Sequence, residues 1–428
     1  MENLNSSSSN YLFLISMGLK VRSVVYALAT YTIYTTYSYA RAREEISFRE
    51  KEYSKREIDD EDHRWDILNI HGRYENPFKE YRPQTIYEFF IMRVIELSKF
   101  GSRGGVEDDV TIRKDNLGIK VTDSSINFWK SLRDKCKESG LLAYTWFGQS
   151  CGIVNSSDKI FLMDPLFENS IVSEKFGPKR IVPCVVNIDE IVEDIKPDYV
   201  LVSHDHPDHL GEGSIRGLSK LEKCEWIVPM GIRDILENNG IKSDKIIEMK
   251  WWDRNKLNEE FEIVCLPAMH WSGRMLYDSN KSLWCSFLIL KNGKSIFYHG
   301  GDTGYSEGVF KRIGDIYGPI KFAALPIGQY CPEWHQAPRH ISPSESIKIM
   351  NEMKIHKMVG VHWGTFVLSS ENYLEPGQLL KKESENLEKI NNIIVPVQGQ
   401  SLIMEEGKID FNNDDLVKET GNDFILYN

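Results

Sequence analysis

The chain reads as an α/β protein with an αββα architecture, two mixed sheets flanked by helices. Two observations predict this. From Ala143 onward, short apolar runs of strand length recur, each rich in Val, Ile, Leu and aromatics. Helical stretches fall between those runs, and many buried strands separated by helices close most simply as two sheets between helical layers. A third observation bounds the answer: 41% hydrophobic and 27% charged residues over 428 positions describe an ordinary globular body with room for a substantial core.

The strand-like runs are Ala143–Phe147, Ile160–Met163, Tyr199–Val202, Trp226–Pro229, Phe261–Leu266, Leu283–Leu290, Ser295–Tyr298, Phe322–Pro326, Lys357–Val361 and Ile394–Val397. Among the helices, Pro343–Met353 has the clearest start. Ser342 stands where an N-cap belongs, and Glu345 sits at the third helical position to complete a capping box. The principal domain therefore covers 140–410, with a C-terminal tail at 411–428.

The N-terminal part differs in character. Residues 1–43 carry Lys20, Arg22, Arg41 and Arg43 against a single acid, Glu2, and the stretch from Ser23 to Ala40 is uncharged. A basic, acid-poor, serine-containing start before an apolar stretch resembles a mitochondrial presequence with a membrane anchor. A short amphipathic or cleaved targeting segment fits the same residues. Membrane association is expected on either reading, with the mitochondrial inner membrane first and the endoplasmic reticulum or Golgi second. Residues 44–139 form a charged linker and extension. Within it Ile86–Phe100 has helical spacing and one wide apolar face, which suits packing on the main domain or a lip for lipid access.

Net charge of -11 argues against a nucleic-acid footprint, which needs clustered Lys and Arg. The cysteines at 136, 151, 184, 224, 265, 285 and 331 include no CxxC pair, so they supply neither a zinc ribbon nor a thioredoxin-like site. They read as buried thiols in a reducing setting.

The chemistry lies in the histidines and aspartates. Directly after the run Tyr199–Val202 comes Ser203-His204-Asp205-His206-Pro207-Asp208-His209. Histidines two apart in an extended loop can converge on one ion, while Asp208 and His209 turn toward a second. Imidazole nitrogen with a few carboxylate oxygens is the donor mix zinc prefers in catalytic sites. Three further ligands follow later apolar runs: His270 after Phe261–Met269, Asp302 after Ser295–Gly301, and His362 after Lys357–Val361. The expectation is two Zn2+ per chain. His204, His206 and His270 hold one, Asp208, His209 and His362 hold the other, and Asp302 bridges them. Asp208 and Asp302 are the catalytic carboxylates, and two zinc ions sharing a hydroxide supply a nucleophile at neutral pH. His299, three residues before Asp302, is expected in the core, with support of a neighbouring ligand as the alternative. No serine or cysteine nucleophile has a partnered base.

This pattern resembles the metallo-β-lactamase superfamily, and Trp146-Phe147-Gly148-Gln149-Ser150-Cys151 is similar to its early strand-turn segment. Sharper stretches are Gly72–Pro77, Gly177-Pro178-Lys179-Arg180, Trp251-Trp252, Gly301–Tyr305, Ala323–Trp334 and His362–Pro376. These resemble the N-acylphosphatidylethanolamine-hydrolysing phospholipase D family over about residues 72–83 and 140–410. The resemblance implies a phospholipid substrate, release of N-acylethanolamine and phosphatidic acid, a membrane-facing site and a homodimer. Arg274 and His340 match substrate-site positions, and an Arg fork suits a phosphate oxygen. The chain departs from the pattern at Gln149, where His is more usual, and at Ser173–Phe176. A lactonase or esterase on the same fold, and a non-catalytic membrane scaffold, are the alternatives.

Overall fold

The computed structural model describes residues 5–53, 63–85, 87–88, 91–92, 126–171, 177–275, 278–385, 392–405, 417–420 and 424–427. Two sheets face each other, as expected. One has seven strands and the other nine, and both are mixed.

The nine-stranded sheet is built around β1 (Leu141–Gly148), β2 (Cys151–Ser156), β3 (Lys159–Met163), β4 (Tyr199–Leu201), β5 (Glu225–Pro229) and β6 (Ile246–Met249). From β1 to β3 neighbours are antiparallel, and from β3 to β6 they are parallel. Ser401–Glu405 pairs antiparallel with β1. Strands Val417–Thr420 and Phe424–Tyr427, inside the expected tail, extend that edge.

The facing sheet comprises β7 (Arg254–Lys256), β8 (Phe261–Leu266), β9 (Ser286–Lys291), β10 (Lys294–His299), β11 (Ile320–Pro326), β12 (Ile355–Val361) and β13 (Ile393–Ile394). Every apolar run named above contributes to a strand. The run Leu283–Leu290 enters its strand only at Ser286, and Ile394–Val397 stops after Ile394. Proline at 396 supplies no N–H for the ladder, which accounts for that early end.

Aromatic side chains join the sheets face to face. Tyr144 lies 5.3 Å from Phe297 and 5.7 Å from Phe322, and Phe161 lies 5.3 Å from Phe261. These contacts place the main core between the layers, where burying large apolar area gives the greatest stabilisation. Helices Val309–Tyr317, Pro343–Glu352 and Glu375–Ser384 flank one side of the sandwich, and Glu212–Leu218 and Arg233–Asn238 the other. The capping box at Ser342 forms as expected: Glu345 N donates to Ser342 Oγ and Ser342 N donates to Glu345 Oε2 at 2.8 Å.

A single helix spans Asn5–Tyr53, so it runs on past residue 43. Its later turns lie on the body: Ala42 and Ile46 pack with Leu68, and Arg49 Nη1 donates to Asp66 O at 2.6 Å. Residues 63–85 are built into the core, for Trp65, Phe78 and Tyr81 belong to the main buried cluster. Most of Ile86–Phe100 lies outside the described residues. Of its apolar positions Met92 is buried, while Tyr87 and Ile91 are exposed.

Candidate metal centre

Parallel strands in a sandwich end on one edge, and whatever follows them gathers there. The His204–His209 loop follows β4, His270 follows β8, Asp302 follows β10, and His362 is the residue after β12. Local backbone makes this convergence tight. Gly301 has φ of +57°, and a Cβ there would stand 2.6 Å from Ser203 Cβ, so only glycine lets the Asp302 loop close on the His204 loop.

The ligand atoms fall into two adjoining sets. In the first, His204 Nε2 is 2.8 Å from His206 Nδ1, which is 3.2 Å from His270 Nε2. In the second, His209 Nε2 and His362 Nε2 are 3.2 Å apart, with Asp208 Oδ2 at 3.6 Å and 3.5 Å from them. Asp302 lies between the sets. Its Oδ2 is 3.1 Å from His209 Nε2 and 3.7 Å from His270 Nε2, and its Oδ1 is 3.1 Å from His362 Nε2. All seven residues that the sequence singled out are brought together.

This donor set fits cations. His270 Nδ1 donates to Arg339 O at 2.9 Å, and His209 Nδ1 donates to Asp164 Oδ2 at 2.8 Å, so each neutral ring turns its Nε2 lone pair inward. His206 Nε2, His362 Nδ1, His340 Nδ1 and Asp302 Oδ1 are buried with no hydrogen-bond partner. Lone pairs held at about 3 Å in a dry site repel one another unless a positive charge stands between them.

The electrostatics divide the cluster. Burial holds His204 well below the usual imidazole range, His206 at about 4 and His270 at about 3, so the first set is neutral at pH 7. Burial acts against charge on His209 and His362 too, but the carboxylates prevail there. Asp302, Asp208 and Asp164 carry His209 well above its ordinary value, and Asp302 with Asp208 brings His362 to about 9. The second set thus attracts positive charge more strongly. Asp208 and Asp302 stay ionised despite burial because these imidazoles face them.

Asp164 is the functional residue that the sequence reading missed. It follows β3 directly, and its Oδ2 accepts from Ser203 Oγ, His209 Nδ1 and His299 Nε2, each at 2.8 Å. It fixes the tautomer and ring angle of the His209 imidazole, as carboxylates do behind metal-ligating histidines. The signal was available: an apolar run followed at once by Asp is the same arrangement that exposed the ligands. His299 accordingly belongs to this support and is not an ordinary core residue.

Arg274 grips the loop that carries the ligands. Its Nη1 donates to Asp205 O at 2.8 Å and Leu210 O at 2.9 Å, and its Nη2 faces Glu212 at 3.6 Å. His340 stands at the cluster itself, with Nδ1 3.7 Å from Asp302 Oδ2 and its ring stacked 5.6 Å from that of His362. Burial keeps it well below the usual imidazole range. Arg180, from the Gly-Pro-Lys-Arg stretch, is a strut: it donates to the carbonyls of Phe147, Leu166 and Glu168. Beside the second set, a groove is walled by Phe366, Val367, Leu368, Tyr373 and Pro376, with Gln149 and His362 also lining it.

The family described as "Beta-lactamase superfamily domain" matches residues 160–363, a span that holds every ligand. A Saccharomyces cerevisiae protein named "N-acyl-phosphatidylethanolamine-hydrolyzing phospholipase D, mitochondrial" is 43% identical over 345 residues, 74% of this chain and 72% of that protein. A Caenorhabditis elegans protein named "N-acyl-phosphatidylethanolamine-hydrolyzing phospholipase D 1" is 34% identical over 273 residues, 61% of this chain and 75% of that one.

Proposed function

We propose a mechanism from one premise: the chain belongs to the N-acyl-phosphatidylethanolamine-hydrolysing phospholipase D family, within the beta-lactamase superfamily. It is a metal-dependent hydrolase that cleaves N-acylphosphatidylethanolamine to N-acylethanolamine and phosphatidic acid. The observation that carries the mechanism is the pair of buried ligand sets sharing Asp302.

His204, His206 and His270 would hold one cation and Asp208, His209 and His362 the other, with Asp302 between them. Imidazole nitrogens with a few carboxylate oxygens suit zinc. When bound, such a pair supplies Lewis acidity and makes water a nucleophile at neutral pH. The chain's own groups do the rest. Asp164 and Arg339 O hold His209 and His270 in the tautomers that face inward. His340, neutral and buried against Asp302, presents an unpartnered Nδ1 toward the reacting phosphate, where an N–H can donate to the departing alkoxide. Arg274 keeps the ligand loop closed, and its Nη2 edge is the one that meets a phosphate oxygen.

The long helix would bring this site to its lipid. Val21, Val24, Val25, Tyr26 and Ile33 are exposed on it, beside Lys20 and Arg22. Among the described residues, no helix is long and apolar enough to cross a membrane. The proposed contact is therefore a helix lying at a lipid surface, in the mitochondrion that the yeast relative's name gives. Pairing of two copies through the same apolar face is the competing use, and vesicle flotation of the monomer separates the two.

The mechanism is tested by turnover in heavy-oxygen water. Label should appear in phosphatidic acid, and a chelator should abolish release. Label in the ethanolamide would mean carbon–oxygen cleavage and would overturn attack at phosphorus.

A further inference from the structure

One side chain at the centre is left unused by the seven-ligand arrangement. Gln149 lies in the β1–β2 turn with φ of +51°, a left-handed conformation that costs energy for any residue but glycine. It is 1% exposed, and its backbone is pinned from three sides. Its N–H donates to Thr365 Oγ1 at 2.6 Å, and its carbonyl accepts from Trp146 Nε1 at 2.7 Å and from His362 N at 2.9 Å. So constrained, the side chain reaches the second ligand set. The amide nitrogen stands 2.9 Å from Asp208 Oδ2 and 2.8 Å from His362 Nε2.

Those two distances carry the argument. With metal–ligand bonds near 2.0–2.1 Å, donors at tetrahedral angles lie about 3.4 Å apart, and donors at right angles about 2.9 Å apart. The contacts among Asp208, His209, His362 and Asp302 given above run from 3.1 to 3.6 Å, around the tetrahedral edge. Gln149 meets two of the same atoms at the shorter edge, where a fifth ligand would stand. The nitrogen keeps one acceptor there, Asp208 Oδ2, and loses the other. Once His362 Nε2 directs its lone pair at a cation, an amide N–H at 2.8 Å has no acceptor in it. Amide oxygen and nitrogen are interchangeable by a half-turn of the terminal torsion. That turn places Oε1 where three lone-pair-bearing atoms converge, an arrangement that only a cation makes favourable.

We propose that the Gln149 amide oxygen is a fifth ligand to the cation held by Asp208, His209, His362 and Asp302. The inference rests on the two-cation reading above. It adds a neutral, weakly held donor on the groove side of that cation, beside Phe366 and Val367. It also assigns a reason for the strained turn. The αL backbone at Gln149 is what aims an otherwise ordinary side chain at the metal.

The test compares Gln149→Ala with Gln149→Glu in the full chain, reading zinc affinity by competition with a chromophoric chelator. As a second readout, visible spectra are recorded after cobalt substitution. Gln149→Ala should weaken the second cation on the order of 10- to 100-fold, leave the first unchanged, and strengthen the cobalt bands as the site becomes four-coordinate. Gln149→Glu should bind the second cation at least as tightly as the wild type, because a carboxylate oxygen replaces the amide oxygen. If Gln149→Glu instead loosens the cation as much as alanine does, the side chain works as an N–H donor to Asp208 and the proposal is overturned. Unchanged affinity in Gln149→Ala overturns it as well, while a wild type that takes up one cation only brings down the two-cation reading with it.

Discussion

Two regions hold the ligands still, by different physics. At the strand ends, position comes from sheet register: β4, β8, β10 and β12 end near one another, and each ligand is within a few residues of its ladder. Residues 63–85 act from behind and from far away in sequence. Asn76 Nδ2 donates to His270 O at 2.7 Å across 194 positions, Phe78 packs 5.9 Å from Trp251, and Tyr74 N donates to Asn280 O. This strap carries no ligand, yet it backs the loop that does. The contrast teaches that a sandwich edge gathers ligands cheaply, and that a remote segment then removes the slack left in the loops.

If that division is right, damage at the edge should cost chemistry and damage to the strap should cost stability. The largest effect is expected at Asp302. Asp302→Asn should cut kcat by about 10⁴-fold, or about 5 kcal/mol of transition-state stabilisation, with metal lost in parallel and the fold kept. Elemental analysis beside turnover checks this, and full activity would remove the bridging role.

Next comes Phe78→Ala in the strap. Phe78 is 1% exposed in the main core, so truncation should cost about 3–5 kcal/mol of stability in urea unfolding. The folded fraction should retain its metal. A loss under about 1 kcal/mol would mean that the strap merely lies on the body.

Asp164→Asn sharpens the comparison from the other side, because it supports a ligand without being one. Metal affinity or activity should fall about 10- to 100-fold while the unfolding midpoint shifts little. If the midpoint falls and affinity holds, Asp164 belongs with the strap, as a structural residue.

The smallest effect is pH-dependent and belongs to Glu75. Burial pushes its carboxyl up to about 7, against the pull of Arg73. A carboxyl raised in the folded state holds its proton better there than in the unfolded chain. Its favourable contribution is therefore complete below about 4.5 and is lost as pH rises through about 7. Glu75→Gln should stabilise the protein by about 1–2 kcal/mol at pH 8, after allowance for partial exposure, and change nothing at pH 4.5. Equal effects at both values would dismiss the shifted carboxyl.

Much of the centre was legible before any coordinates. His204, His206, Asp208 and His209 lie within one short loop, and His270, Asp302 and His362 each announce themselves by following an apolar run. These are local signals, carried by spacing and side-chain type. Arg274 and His340 were legible as residues near the site, and only His340 has an unpartnered nitrogen beside the ligands. Asp164 was not read, and His299 and Gln149 were named without their partners at the centre, because those partners are far away along the chain. Asp164 meets His209 across 45 positions, and Gln149 meets His362 across 213. A strand pattern says where a chain emerges from a sheet, but not which loop it emerges beside.

By itself the sequence determined the layer type and the strand-bearing runs, and it named the seven candidate ligands that the fold gathers. Those follow from hydrophobic burial and donor chemistry, which act residue by residue. Only the tertiary structure decided that residues 63–85 brace the centre, that Asp164 backs His209, and that a strained Gln149 reaches the second set. Each of these depends on an angle or a distance between segments remote in sequence, and such distances are set by how the two sheets pack, not by any one stretch of chain.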